Sequence, residues 1–224
     1  EKAIELNPNF VNAHYNLGLV FKELREHQKA KKSFKKVIEL NPNHVDANNN
    51  LGSIFTDFKE YQKAKDCYEK AIEINPDYSS AHNNLGAVFQ KLGEDKKAKE
   101  CYEKAIELNP NYAVAHYNLG VLLYLLEENQ RAKECYEKAI EVDPNYAVAH
   151  NNLGVVFREL KENQKAKECF EKAIELNPNY ADAHKNLGIL LRQIRLLSKI
   201  EQAKKLYKSN LRLTSNPFIS NRKV

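Results

Sequence analysis

The phrase Asn-Leu-Gly occurs at Asn16-Leu17-Gly18 and returns at residues 50, 84, 118, 152 and 186, each copy 34 residues after the last. Prolines keep the same interval at Pro8, Pro42, Pro76, Pro110, Pro144 and Pro178. A fixed period of this length means that one supersecondary unit is copied along the chain. Each copy buries its apolar face against its neighbours instead of around a single central core. The 224 residues would otherwise suit one or two globular domains.

The period divides the chain into a second-helix remnant at 1–10, five full units at 11–44, 45–78, 79–112, 113–146 and 147–180, an irregular sixth at 181–213, and a polar tail at 214–224. Because residue 1 falls inside a unit and the sequence holds no methionine, the chain reads as a fragment of a longer one. In each unit a first helix carries apolar residues at helical spacing, as in Ala13, Leu17, Val20, Phe21 and Leu24. A polar break follows, where Asp95, Asn129 and Asn163 suit a helix N-cap. The second helix repeats the pattern with Ala98, Tyr102, Ala105 and Ile106, and an Asn-Pro or Asp-Pro pair stops it, since a residue before proline is pushed out of the α region. The expected fold is all-α, built of antiparallel helix pairs. Gly86 and Ala98 mark where two helices approach closely.

Unit six departs from the beat. From Gly188 the matching alanine is Ala203, fifteen residues on instead of twelve, so the turn between its helices is expected to be three residues longer. Ser215 stands where a proline is due. Terminal units are commonly atypical because they cap an exposed apolar face.

Leu119, Gly120, Leu123, Ala132, Tyr136, Ala139 and Pro144 carry, at these offsets, a pattern that resembles the tetratricopeptide repeat. The resemblance extends to about residue 213 and implies an α-solenoid wound as a right-handed superhelix, with the first helices lining a concave groove. One departure is the fourth position of each unit, where the family's bulky residue is His14, Asn48, His82, His116, His150 and His184. That variant is similar to the superhelical repeats that recognise substrates for O-linked N-acetylglucosamine transferase, although no glycosyltransferase sequence is present.

Several chemistries are set aside. The net charge of +5 comes from 35 basic and 30 acidic residues that interleave. Pairs such as Glu100 with Lys104, Glu134 with Lys138 and Glu168 with Lys172 mark solvated helix faces, not a nucleic-acid footprint. No apolar run spans a bilayer and no signal or lipidation motif is present, so no membrane role is expected. Histidines one unit apart are a helix-packing distance from one another, roughly 8–10 Å, too far to share a zinc ion. Cys67, Cys101, Cys135 and Cys169 fail the corresponding distance test for disulfides. Free thiols fit a reducing, cytoplasmic location. No cofactor and no catalysis are expected.

The candidate binding face is the side of each first helix opposite its core, at positions two, five, six, nine, twelve and thirteen of the unit. Position six is Asn16, Asn50, Asn84, Asn118, Asn152 and Asn186. A row of primary amides can hold a peptide backbone, as the resemblance implies, or can tie one unit to the next. The variable positions are mainly polar in units one to three: Asn12, Asp46, Asn49, Ser53, Thr56, Ser80, Asn83 and Gln90. They turn apolar in units four and five with Val114, Tyr117, Val121, Tyr124, Leu125, Val148 and Val155, and basic at Arg158, Lys185 and Arg192. Apolar residues on a non-core face mark an interface. The expected function is a scaffold that takes a protein segment, an extended peptide or amphipathic helix with an acidic stretch. The alternatives are the recognition arm of a larger enzyme and a self-associating repeat module. A chaperone-type carboxylate clamp is not expected, because position nine is never Asn even though Lys185 matches one clamp-like position. Asn216-Pro217-Phe218 resembles a ligand of endocytic modules, with a frayed end as the plainer reading.

Overall fold

A computed structural model describes residues 2–214, and the Asn216-Pro217-Phe218 motif lies outside them. The chain forms two compact units, Glu1–Pro144 and Asn145–Val224. The first holds α1 (Lys2–Leu6), α2 (Val11–Glu23), α3 (His27–Leu40), α4 (Val45–Asp57), α5 (Tyr61–Ile74), α6 (Ser79–Lys91), α7 (Asp95–Leu108), α8 (Ala113–Leu125) and α9 (Asn129–Val142). The second holds α10 (Ala147–Glu159), α11 (Asn163–Leu176) and α12 (Ala181–Thr214). No strand is present among the described residues. Helices pair as α2 with α3, α4 with α5, α6 with α7, α8 with α9 and α10 with α11, and each pair's second helix packs on the next first helix within its unit.

The small residues and the aromatic residues explain the pairing together. Ala30, Ala64, Ala98, Ala132 and Ala166 are fully buried, and the ring one turn later in each second helix lies against the glycine of the first. A Cβ placed on Gly18, Gly52, Gly86, Gly120 or Gly154 would stand 2.7–2.8 Å from the ring of Phe34, Tyr68, Tyr102, Tyr136 or Phe170. Only a hydrogen fits there, so the helices approach at the position that the repeated glycine marks.

Between units the corners close on themselves. Asn41, Asn75, Asn109 and Asn177 each accept, on Oδ1, the backbone N–H two residues on, at 3.1–3.2 Å. This Asx turn explains why asparagine precedes the proline. The fourth-position histidine then reaches back six residues. Nε2 of His14, His82, His116 and His184 donates to the carbonyl of Pro8, Pro76, Pro110 and Pro178 at 2.8–2.9 Å. Asn48 substitutes with Nδ2 donating to the His44 carbonyl at 3.0 Å.

Within a pair the turn carries a left-handed residue: Arg25 (φ 57°), Lys59 (φ 59°), Glu127 (φ 62°), Lys161 (φ 63°) and Gly93 (φ 76°). Glycine adopts this conformation freely, whereas for an L-residue it costs about 1–2 kcal/mol. Glu127→Gly is expected to raise stability by about 1 kcal/mol and Gly93→Ala to lower it by a similar amount. Urea unfolding of both variants checks this. Nothing lies within 4 Å of a Cβ on Gly93, so a change there reports on backbone alone.

Four expectations need correction. The N-cap positions are Glu94, Glu128 and Glu162, without side-chain capping bonds; Asp95, Asn129 and Asn163 already lie in the first turn. Lys104, Lys138 and Lys172 pair with Glu107, Glu141 and Glu175, three residues on, at 2.8–2.9 Å, and not with the glutamates four residues back. Val20 is 48% exposed where its counterparts Ile54, Val88, Leu122 and Val156 are buried, since only the five-residue α1 precedes α2 among the described residues, and Leu24 is exposed at a position where Leu92 and Leu126 are exposed too. Finally, α12 is one continuous helix of 34 residues, with no turn in the sixth unit. The stretch Ile194–Ile200 (Ile-Arg-Leu-Leu-Ser-Lys-Ile) contains no Gly, Pro or Asn to break it.

Candidate functional site

In the first unit the position-six amides link neighbouring first helices. Asn118 Nδ2 donates to Asn83 Oδ1 at 2.9 Å, Asn83 Nδ2 to Asn84 Oδ1 at 3.3 Å, and Asn84 Nδ2 to Asn49 Oδ1 at 3.0 Å. The chain of amides thus crosses α8, α6 and α4. Where position five is tyrosine the link is weaker: Asn50 Nδ2 reaches the Tyr15 hydroxyl at 3.4 Å, while Lys22 Nζ donates to Asn50 Oδ1 at 2.8 Å. Burial lowers the Lys22 pKa. In the second unit Asn186 Nδ2 donates to Asn151 Oδ1 at 2.9 Å, and Asn151 Nδ2 to Asn152 Oδ1 at 3.1 Å. Each bond uses one donor or one lone pair of a group that has two of each.

Several of the variable polar positions on the candidate binding face also carry framework bonds. The Tyr78 hydroxyl donates to Asp46 Oδ1 at 2.8 Å, and burial, with that carboxylate, raises the Tyr78 pKa. Thr56 Oγ1 donates to the Gly52 carbonyl at 3.0 Å, and Gln90 Oε1 accepts the Tyr102 hydroxyl at 3.0 Å. The sequence signal for the amide links between first helices is the Asn-Asn doublet at positions five and six.

On α8 the apolar row is laid out as follows. Val114 is 39% and Leu125 64% exposed; Tyr117, Val121 and Tyr124 are half-buried, with the Tyr117 ring 5.9 Å from that of Tyr136. The helix's other side, with Leu119, Leu122 and Leu123, is buried, so α8 is apolar on both sides. In the second unit Val148 is 37% exposed and Val155 half-buried on α10, where Arg158 pairs with Glu159 at 3.1 Å. Lys185 and Arg192 are exposed on α12. A cavity of about 890 Å³ lies elsewhere, between α1, α2 and α3, against Ile4, Leu17 and Phe21.

The tetratricopeptide repeat model matches residues 11–44, 79–112, 113–146 and 147–180. The chain belongs to the tetratricopeptide repeat family. Further models of the family match 52–93, and 33–66 with 169–205. A comparison with curated proteins gives no match. Among solved structures the chain is similar to YrrB, described as a tetratricopeptide repeat protein with an unusual peptide-binding site: 28% identity over 82% of this chain and 95% of that one, TM-score 0.61. It is similar to MamA at 26% identity over 76% and 93% of the two chains, TM-score 0.62. A thermophilic tetratricopeptide repeat protein of Thermus thermophilus shares the fold at 18% identity over 81% and 98%, TM-score 0.66.

Other chemistry is sparse in these tetratricopeptide repeats. Among the described residues no group of three His, Cys, Asp or Glu could hold a metal ion, and no helix is long and apolar enough to cross a membrane. The four cysteines are half-buried thiols, none of them in a disulfide. Burial pushes the thiols of Cys67, Cys101 and Cys135 up to about 11, from an ordinary value of 9.0. A folded pKa above the unfolded one gives stability that is complete below the unfolded value and declines as pH rises towards the folded one. The melting temperature is therefore expected to fall between pH 9 and pH 11, and to fall less in a variant with these three cysteines changed to alanine. An equal fall in both would place the alkaline loss elsewhere.

Proposed function

We propose that the chain is a non-catalytic protein-interaction module whose first-helix faces receive an extended peptide or an amphipathic helix, with α8 providing the apolar anchorage. The observation that carries this reading is α8 itself. Its core side is buried like that of its counterparts, yet the opposite side shows Val114, Tyr117, Val121, Tyr124 and Leu125 where α4 and α6 show Asp46, Ser53, Ser80 and Gln90. Half-exposed tyrosines beside aliphatic residues are the composition of interface anchors.

The amides of Asn16, Asn84, Asn118 and Asn186 would add backbone hydrogen bonds from a second donor or lone pair, and Asn50, whose Nδ2 already donates to the Tyr15 hydroxyl and the Asp46 carbonyl, from its second Oδ1 lone pair. Lys185 and Arg192, exposed on α12, would favour carboxylates, joined by Arg158 on α10. The peptide-binding site named for YrrB, at 28% identity, supports a peptide as the ligand class. Panning the chain against a random peptide library displayed on phage is the test. Enriched peptides should combine apolar residues at i, i+3 or i+4 with acidic residues. Enrichment of basic sequences, or of none, would contradict the reading.

A further inference from the structure

Gly188 differs from the other five repeat glycines. Those each face an aromatic ring, sixteen residues later in sequence, within 2.8 Å of the place of a Cβ; Gly188 has nothing within 4 Å. With the three extra residues of the sixth unit, the matching aromatic is Tyr207 and the matching alanine is Ala203. Both are exposed on α12, Tyr207 at 67%, whereas the equivalents Phe34, Tyr68, Tyr102, Tyr136 and Phe170 are no more than 2% exposed. The helix α12 therefore contains both halves of a repeat's helix pair, drawn out end to end and not folded together.

Within this sequence the missing contact can come from the same chain bent back or from a second copy. Bending back needs a turn within Ile194–Ile200, the place where other pairs have their left-handed residue. The stretch is helical and lacks turn residues. Its Leu196, Leu197 and Ile200, 59%, 48% and 42% exposed, would then sit in a solvent loop, at further cost.

A second copy removes both difficulties. We propose that two copies of the chain associate through α12, the helices lying antiparallel so that Gly188 of each copy receives Tyr207 of the other. Each copy completes the other's sixth repeat, an exchange of identical elements about a two-fold axis. Pairing 188 with 207 puts that axis between Leu197 and Ser198, so the apolar stretch that would spoil a turn becomes the centre of the interface. In this register Arg192 falls opposite Ala203 and Arg195 opposite Ile200, and the basic residues of the two helices do not oppose one another. At 1.5 Å per residue the helices run alongside for about 50 Å.

The inference rests on α12, whose Arg192 the peptide-binding reading also uses, and it does not involve α8, the anchor of that reading. Light scattering on the full chain from ~5 to ~200 µM should give twice the 25.8 kDa of one copy over the upper range. Gly188→Ala, which favours an isolated helix, should nonetheless weaken dimerisation by at least ~10-fold, because the added methyl meets the Tyr207 ring. In a background with the four native cysteines changed to alanine, a Gly188→Cys chain mixed with a Tyr207→Cys chain should form a disulfide between the two under mild oxidation. A mass of 25.8 kDa at every concentration, or a Gly188→Cys/Tyr207→Cys double variant that links within one chain, would overturn the proposal. So would a dimer whose mixed variants do not link.

Discussion

Changing Tyr117, Val121 and Tyr124 together to alanine should reduce the affinity for library-selected peptides by ~100-fold or more, about 3 kcal/mol. That magnitude follows from interface anchors, of which single truncations at a tyrosine commonly cost about 2 kcal/mol and do not add in full. Tyr117 and Tyr124 are only half-buried, so part of each ring is available to a ligand while the rest rests on the repeat. Tyr117 also touches Tyr136, and its truncation will cost some stability. Val114→Asp with Leu125→Asp offers an independent route to the same face, since these residues are 39% and 64% exposed and contribute little to the core. Both variants should remain helical by circular dichroism and lose the peptide. Full affinity in either folded variant would remove α8 as the anchor.

Gly86→Ala is expected to destabilise the fold by about 2–3 kcal/mol, at the upper end of the usual cost of overpacking. The added methyl would stand 2.8 Å and 2.9 Å from two atoms of the Tyr102 ring and 3.1 Å from the Ala98 carbonyl oxygen. Tyr102 is 1% exposed, and Gln90 accepts its hydroxyl, so the ring has nowhere to move and the second obstacle is backbone. Tyr102→Leu alone leaves a cavity and an unpaired Gln90. The double variant Gly86→Ala/Tyr102→Leu, however, should lose clearly less than the sum of the two, because the methyl then occupies part of the space vacated by the ring. Urea unfolding of the four chains in this cycle measures the coupling, and strict additivity would show that the contact is not the reason for glycine.

Most of the fold was legible because the repeat states every contact five times over. A glycine, an alanine and an aromatic residue at constant offsets imply one close helix crossing, and the crossings at Gly18 through Gly154 follow that pattern. What the sequence does not display is which of two compatible partners a flexible polar side chain takes. Lys104 can reach a glutamate on either side along the helix and turns to Glu107.

That the asparagines could tie one unit to the next was readable, but their partners were not, for a related reason. Their bonds join residues 35 apart, such as Asn118 and Asn83, and depend on how one helix is placed against the next. At α12 the periodic pattern itself misled: Ala203 and Tyr207 keep the register of a second helix, but the residues between the halves are helix formers. Local propensity decided the backbone there. On α8 the apolar change at positions two to thirteen was plain from sequence, because it interrupts an otherwise constant polar pattern.

In the proposed function peptide capture turns on α8, and amide hydrogen exchange with and without a library-selected peptide tests that role most directly. Bound peptide should slow exchange across Ala113–Leu125 (α8), with smaller effects on the polar first helices α4 and α6 and none on the second helices. Protection confined to second helices, or to the cavity beside α1, with α8 exchanging as in the free chain, would contradict it.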